Sequence, residues 1–232
     1  MNRYKIADLQ VDMEVSGRTL KQAQPYATTP DGVADIVIEC DPQAVWKANP
    51  TMNSLEVAEY MGTGTAFAKG LLEHNGFFLH ASAIMLNGKA YLFSAHCGTG
   101  KSTHTAKWVR LFGAEYLNDD KPALRNIDGT WYAYGTPWSG KHDLSAPVGV
   151  PLGGIAFLRR GDKNIITKMG ALDALIQLMP QTIRKLSQQQ MDQLLPLVDK
   201  LLHEVPVWQL TCRNDDDAAF VSHAAMTGKE DA

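Results

Sequence analysis

The 232-residue chain reads as an α/β protein: a mixed sheet with hairpins around a phosphate-binding loop (P-loop), preceded by a small N-terminal α+β subdomain. Three observations lead there. The stretch Ala95-His96-Cys97-Gly98-Thr99-Gly100-Lys101-Ser102-Thr103 places glycines where backbone N–H groups close around phosphate oxygens, then a lysine and a hydroxyl opening a helix-like run. Strand-like runs joined by Asn87-Gly88 and by Asp128-Gly129 read as hairpins from their turn residues. Met191, Leu194, Leu195, Val198, Leu201 and Leu202 keep helical spacing, so the C-terminal part is mainly helical.

Composition narrows the function classes. A net charge of -3 with 20% charged residues leaves no basic footprint for nucleic acid or an anionic membrane, so neither is expected as a partner. Cys40, Cys97 and Cys212 are scattered and odd in number, which fits a reducing compartment better than a disulfide framework. No apolar run approaches about 18 residues, so no membrane span or signal peptide is expected and the cytoplasm is the expected location.

Residues 1–75 form the expected N-terminal subdomain, of unknown role and without a chemical motif. It shows a strand-like stretch at Tyr4–Val15, a polar segment at Ala27–Gly32 and a β-branched run at Ala34–Cys40. A helix should start at Asn53 or Ser54, with Glu56 closing a capping box from Asn53. It should run toward Leu72, interrupted at Gly62 and Gly64 and ended by Asn75-Gly76. Residues 76–232 form the expected nucleotide-binding domain.

The Asn87-Gly88 turn sets a register between Phe77–Leu86 and Lys89–Ala95. Leu86 pairs with Lys89, Ile84 with Tyr91, Ser82 with Phe93, and His80 with Ala95 at the loop's entrance, about 5 Å apart between Cα atoms. A structural histidine in a half-buried strand is the plainer reading of His80. Beyond the loop, Lys101–Phe112 is helical, with Ala106, Val109 and Phe112 as an inward stripe and Gly113 as C-cap. Ala114–Leu117 returns as a strand whose carboxyl end carries Asn118-Asp119-Asp120-Lys121. Open α/β sheets bind ligands at that end, so the two carboxylates stand where Mg²⁺ would sit.

After a hairpin over 122–134, Gly135–Asp143 is a polar loop in which Lys141 and His142 are available to an anionic substrate. Val150–Leu158 reads as a buried strand ending at Arg159-Arg160, either of which can clamp phosphate. A helix at Ala171–Met179 follows. Ser187 and Gln190 then form a capping box with Leu186 and Met191 as its staple, and Pro196 is expected to kink or restart that helix. Val205–Leu210 is a strand, and Asn214 or Asp215 caps a last helix through His223.

Leu79-His80-Ala81-Ser82-Ala83, the Gly98-Thr99-Gly100-Lys101-Ser102-Thr103 loop and Leu117-Asn118-Asp119-Asp120, in that order, resemble the phosphate-binding core of the HPr kinase/phosphorylases and phosphoenolpyruvate carboxykinases. The resemblance covers about Phe77–Leu124, weakens toward Leu158 and does not reach the first 75 residues. It implies the fold of that superfamily. It also implies that His80 lies at the active site, as a metal ligand in the carboxykinases, that Lys101 binds phosphate and Ser102 ligates Mg²⁺, and that Asp119 and Asp120 divide metal binding and general-base work. The chain is similar to the shortened HPr-kinase-related proteins; Ala95 stands where that loop often has glycine.

The expected activity is therefore ATP-dependent transfer of a γ-phosphoryl group to a serine-like hydroxyl of a peptide, protein or small molecule. Gly98, Thr99, Gly100, Lys101, Ser102 and Thr103 would bind ATP; Ser102, Asp119 and Asp120 would bind Mg²⁺, with Mn²⁺ an alternative. Asp119, Asp120, His80 and Lys101 form the expected catalytic set, and Lys141, His142 and Arg160 the acceptor side. A non-catalytic ATP-binding regulator and a carboxykinase-like enzyme are the other readings, and a homo-oligomer is compatible with all three.

Overall fold

The computed structural model describes residues 1–49, 51–96, 98–183 and 186–228, which leaves Cys97 of the glycine loop outside the described residues. The chain opens on β1 (Asn2–Ile6) and β2 (Leu9–Met13), so the single strand expected over Tyr4–Val15 is a hairpin. Its turn, Ala7-Asp8, holds both residues at positive φ, 53° and 59°, without the glycine that would have announced it. Helix α1 (Gly17–Ala23) follows, then β3 (Ile36–Ile38), parallel to β2, which completes a three-stranded sheet.

Two helices lead out of this sheet. Asp41 caps α2 (Pro42–Ala48) by accepting from the backbone N–H groups of Gln43 and Ala44. The longer α3 (Leu55–Leu72) is capped by Ser54, whose hydroxyl accepts from Val57 N. Glu56 does not close a box from Asn53; its carboxylate accepts from Arg18 N instead, 38 residues away. Nor do Gly62 and Gly64 interrupt α3. A Cβ on Gly62 would stand 2.5 Å from Cys40 Sγ, and one on Gly64 2.8 Å from the Trp138 ring, so both glycines permit close packing that outweighs their low helix propensity.

The expected strand Phe77–Leu86 is divided into β4 (Gly76–Phe78) and β5 (Ala81–Leu86), with His80 in the break. β5 pairs with β6 (Lys89–Ser94) in the register set by Asn87-Gly88, Leu86 opposite Lys89 through Ala81 opposite Ser94. Helix α4 (Lys101–Phe112) ends at Gly113 in the left-handed region, φ 69°. Its buried side chains are His104, Thr105 and Trp108; Ala106 is exposed and Val109 and Phe112 half-buried, so the inward stripe is rotated from the expected one.

β7 (Glu115–Asn118) then pairs with β5 from the other side, antiparallel. β8 (Ala123–Ile127) and β9 (Thr130–Tyr134) form the second hairpin and extend to β4. The long β10 (Gly149–Arg160) passes from an antiparallel pairing with β9 to parallel pairings with β6 and β12 (Val207–Cys212), while β11 (Ile165–Lys168) edges β12. Between them lie α5 (Ala171–Leu178) and α6 (Gln188–Glu204), and α7 (Asp217–Thr227) follows β12. The Ser187–Gln190 capping box is present, and α6 runs through Pro196 as one element, its Leu194, Val198 and Leu201 buried while Pro196 is exposed. Asp215 supports the start of α7 by accepting from Ala218 N.

This mixed α/β sheet is nine-stranded among the described residues. Alternation sorts its side chains to two faces: Ala83, Leu92, Ile155 and Phe157 meet α5 and α6, while Ile84, Phe93, Ala156 and Leu210 meet α4 and α7. A third apolar cluster draws on both sides of residue 75, joining Tyr4, Val11 and Met13 to Phe67, Phe78 and Trp138. Burying a side chain of Phe size contributes about 1.5–3 kcal/mol, so these clusters dominate what holds the sheet to its helices. No helix among the described residues is long and apolar enough to cross a membrane.

Candidate functional site

The strand directions assemble the site. β6 and β7 flank β5, each antiparallel to it, so the carboxyl ends of β6 and β7 and the amino end of β5 share one edge of the sheet. That edge therefore receives the glycine loop from β6, Asp119 and Asp120 from β7, and His80 from the approach to β5. Ser94 Oγ donates to the His80 carbonyl at 2.8 Å, which ties the loop's entrance to the histidine.

Glycine is required within the loop, where Gly98 has φ 77° and Gly100, the N-cap of α4, has φ 119°. Ala95 needs no such freedom. Its methyl is buried with Phe93 and Trp108, so the departure from glycine serves the core. Lys101, the first residue of α4, reaches back so that Nζ donates to the Ala95 carbonyl at 3.1 Å, across the loop it opens from. Ser102 and Thr103 are exposed in the first turn of α4. Arg160, expected to clamp phosphate or to meet the acceptor, lies against the loop, with Nη2 on the Gly98 carbonyl at 2.5 Å and Nε on that of Thr99 at 3.4 Å.

The carboxylate turn is built differently. Asn118, fully buried, accepts from the backbone N–H groups of Asp120 and Lys121 through its side-chain oxygen, at 2.9 and 2.7 Å, and donates from Nδ2 to Thr136 O and Oγ1. One amide thus fixes the backbone at Asp120 and Lys121, while the Asp119 N–H donates to the Leu144 carbonyl at 3.0 Å. Asp119 Oδ1 accepts from Ser82 Oγ at 2.6 Å, and Ser82 Oγ lies 2.8 Å from Thr105 Oγ1 in the second turn of α4. This relay connects Asp119 to the helix carrying Ser102.

Asp120 has a denser set of partners. Lys121 Nζ is 2.5 Å from Oδ2, the Tyr60 hydroxyl donates to Oδ2 at 3.4 Å, and His80 Nε2 is 3.5 Å from Oδ1. Nδ1 of His80 lies 3.1 Å from Gln181 Oε1, and its backbone N–H donates to the Gln181 carbonyl at 2.8 Å. Burial, and then the charge of Lys101, push the His80 pKa down, against the opposing pull of Asp120. The neutral imidazole is therefore favoured near pH 7, and the His80–Asp120 contact is polar rather than a full ion pair. Burial, followed by the Asp120 charge, pushes the Tyr60 hydroxyl well above its ordinary range, so Tyr60 stays protonated as a donor.

Tyr60 belongs to α3, within the stretch that carried no readable motif. Its hydroxyl also accepts from Gly140 N at 2.9 Å, while Arg18 lies over its ring, 4.5 Å from the centroid, and Gln22 Nε2 donates to Ser139 Oγ and the Gly140 carbonyl. The loop expected to be a shaped surface is thus anchored: Trp138 is fully buried and stacked on Phe67 at 5.0 Å, and only its tip, with Lys141 and His142, is exposed. A Cβ on Gly140 would stand 3.2 Å from Asp120 Cβ, which puts that tip beside the carboxylate turn. Tyr60, Gln181 and Thr105 are site neighbours that residue patterns did not single out, and Ser82 and Lys121 lay within the quoted motifs without a role assigned. Only tertiary contacts bring them in.

The fit of a divalent cation rests on donor chemistry. The Ser102 hydroxyl and the carboxylates of Asp119 and Asp120 are hard oxygen donors, the type Mg²⁺ and Mn²⁺ take. Among the described residues no three His, Cys, Asp or Glu side chains form a cage. Mg²⁺ is commonly held by one or two carboxylates together with substrate phosphates, and this donor set suits that mode.

No protein-family model and no curated protein matches the chain. Among solved structures it is similar to the HPr(Ser) kinase/phosphatase from Coxiella burnetii, with a TM-score of 0.40 and 8% identity over 65% of this chain and 95% of that one. A likeness of that degree bears on neither the function nor the site.

Proposed function

We propose that the protein is a Mg²⁺- and ATP-dependent kinase that transfers the γ-phosphoryl group to a hydroxyl of a peptide, protein or small molecule. The observation that carries this reading is the convergence, at one sheet edge, of a glycine-shaped helix N-terminus with Lys101 and the Asp119–Asp120 turn.

Phosphoryl transfer asks a protein for positioning and for charge stabilisation rather than covalent chemistry. The loop amides of Gly98–Lys101 and the Lys101 ammonium would bind the β- and γ-phosphate oxygens. Ser102 and Asp119, linked through Ser82 and Thr105, would hold Mg²⁺, which when bound supplies positive charge to the transferring group. Asp120 would accept the acceptor's hydroxyl proton as its oxygen bonds to the γ-phosphorus, while the bond from phosphorus to the β–γ bridging oxygen breaks and ADP leaves. His80, neutral and held by Gln181, orients the Asp120 carboxylate. Lys141 and His142, at the tip beside Asp120, would meet an anionic group on the acceptor.

Incubation with γ-labelled ATP and Mg²⁺ against fractionated lysate tests the reading. Label should pass to a hydroxyl-bearing species in a Lys101-dependent way, and EDTA should abolish it. ATP binding without hydrolysis or transfer would instead support the non-catalytic regulator, a reading favoured by Lys121 and Tyr60 already occupying one oxygen of Asp120.

A further inference from the structure

A second cavity opens on the other side of the glycine loop. It encloses about 550 Å³ and is lined by Gly98–Gly100, by Thr103, His104 and Lys107 of α4, and by the carboxyl ends of β10 and β12. None of the proposed catalytic residues lines it. Its charge is one-sided: among the described residues, Lys107, Arg159, Arg160 and Arg213 face it and no carboxylate lines it, although the whole chain carries a net charge of -3.

Among the described residues, two of these cations have neutral partners, Lys107 on the Asn214 side-chain oxygen and Arg160 on the loop carbonyls. Arg213 is paired with Asp215 at 2.7 Å, which orients its guanidinium at the rim. The volume lies within the range of about 300–1,000 Å³ common to small-molecule sites and exceeds what a phosphate needs. Its walls also offer flat guanidinium groups and the side chain of Leu158, surfaces on which a nucleobase can stack.

We infer that this cavity receives the nucleoside end of the phosphoryl donor. This rests on the kinase reading of the loop and adds to it which way the donor lies: its γ-phosphate on the Lys101 and Asp120 side, its ribose and base across the loop beside Thr103, Lys107 and Arg159. Arg160 accordingly belongs to the donor's half of the site, away from the acceptor. The donor class is then a nucleoside triphosphate, in preference to an inorganic polyphosphate that would leave the cavity unfilled. With no carboxylate among the described lining residues to accept from the N1–H and N2–H₂ of guanine, the cavity holds the base by stacking and discriminates weakly between purines.

Calorimetric titration of Mg·ATP, Mg·GTP and Mg·tripolyphosphate into the whole protein tests this. The variants are Arg159→Ala, which removes an exposed cation, and Cys212→Trp, which fills the cavity without changing charge; circular dichroism checks that both are folded. ATP should bind the native chain at least about tenfold more tightly than tripolyphosphate, with GTP within about tenfold of ATP. Each variant should weaken ATP by about tenfold and tripolyphosphate by less than about threefold. Equal effects on both ligands, or none on either, overturn the cavity assignment while Lys101-dependent binding of both leaves the loop reading standing. Failure of the native chain to bind either ligand removes the loop reading, and this inference with it.

Discussion

The glycine loop and the carboxylate turn meet at one edge but are held in opposite ways. The loop is shaped locally: two glycines at positive φ, a helix start and a lysine folded back on its own segment define it within nine residues. The turn at Asn118–Lys121 is shaped from afar, through Ser82, Thr105, Thr136, His80 and Tyr60, contacts spanning up to 60 residues of chain. A loop shaped by backbone conformation depends on the residue types at its own positions, here the two glycines at positive φ. A carboxylate that must be aimed needs partners, and those come from wherever the fold brings them.

The largest expected effect tests the local half. Lys101→Ala should lower transfer by about 10³-fold or more, the scale of charge-stabilising groups in phosphoryl transfer, with thermal stability little changed. Native-level turnover in that variant would exclude the loop as the catalytic cradle. On the distant half, Asp120→Asn should lower transfer by about 10²–10⁴-fold while ATP affinity is retained, a kcat effect that single-turnover kinetics separate from binding.

Smaller effects probe how far the support extends. Tyr60→Phe removes the acceptor of Gly140 N–H and a donor to Asp120, and should destabilise the fold by about 1–3 kcal/mol, measured by urea denaturation. It should also reduce kcat more than ATP binding. An unchanged kcat would show that the residues before 75 do not support the site.

The loop's own helix carries a pH-dependent element. His104 of α4 is 3% exposed, with Nε2 at 2.9 Å from Ser222 Oγ, and burial followed by the nearby Lys107 pushes its pKa from 6.5 down to about 3. The unfolded chain therefore binds the extra proton first as pH falls below 6.5. His104 then costs up to about 1.4 kcal/mol of stability per pH unit until the folded state also protonates near pH 3. The Tm of the native chain should fall between pH 6.5 and 4.5 more steeply than that of His104→Gln; parallel curves would show that His104 does not titrate on unfolding.

Much of the architecture was legible because it is encoded by short-range rules. Asn87-Gly88 and Asp128-Gly129 mark their hairpins through the positive φ of Asn87, Gly88, Asp128 and Gly129, and Ser187 with Gln190 marks its helix through a reciprocal cap. Elsewhere local propensity is overruled by packing. Gly62 and Gly64 stay helical because Cys40 and Trp138 need their missing side chains, and α6 runs through Pro196 because Leu194, Val198 and Leu201, one helical face, are buried on the sheet. Ala7-Asp8 turns the chain with no glycine to announce it.

The sequence by itself determined the glycines that give the loop its positive φ, the helix that Lys101 opens and, through the two-residue turn at Asn87-Gly88, a register from Leu86–Lys89 to Ala81–Ser94, which ends one pair before the expected His80–Ala95 pair. Tertiary structure alone decided that Tyr60 and Gln181 attend Asp120 and His80, that Arg160 bonds to the carbonyls of Gly98 and Thr99, and that a basic cavity lies beside the loop. The reason is range. Turn chemistry and backbone periodicity act over a few residues and leave a pattern, whereas a contact between Tyr60 and Asp120 depends on how α3 seats against Trp138 and the sheet, and no pattern in either segment records it.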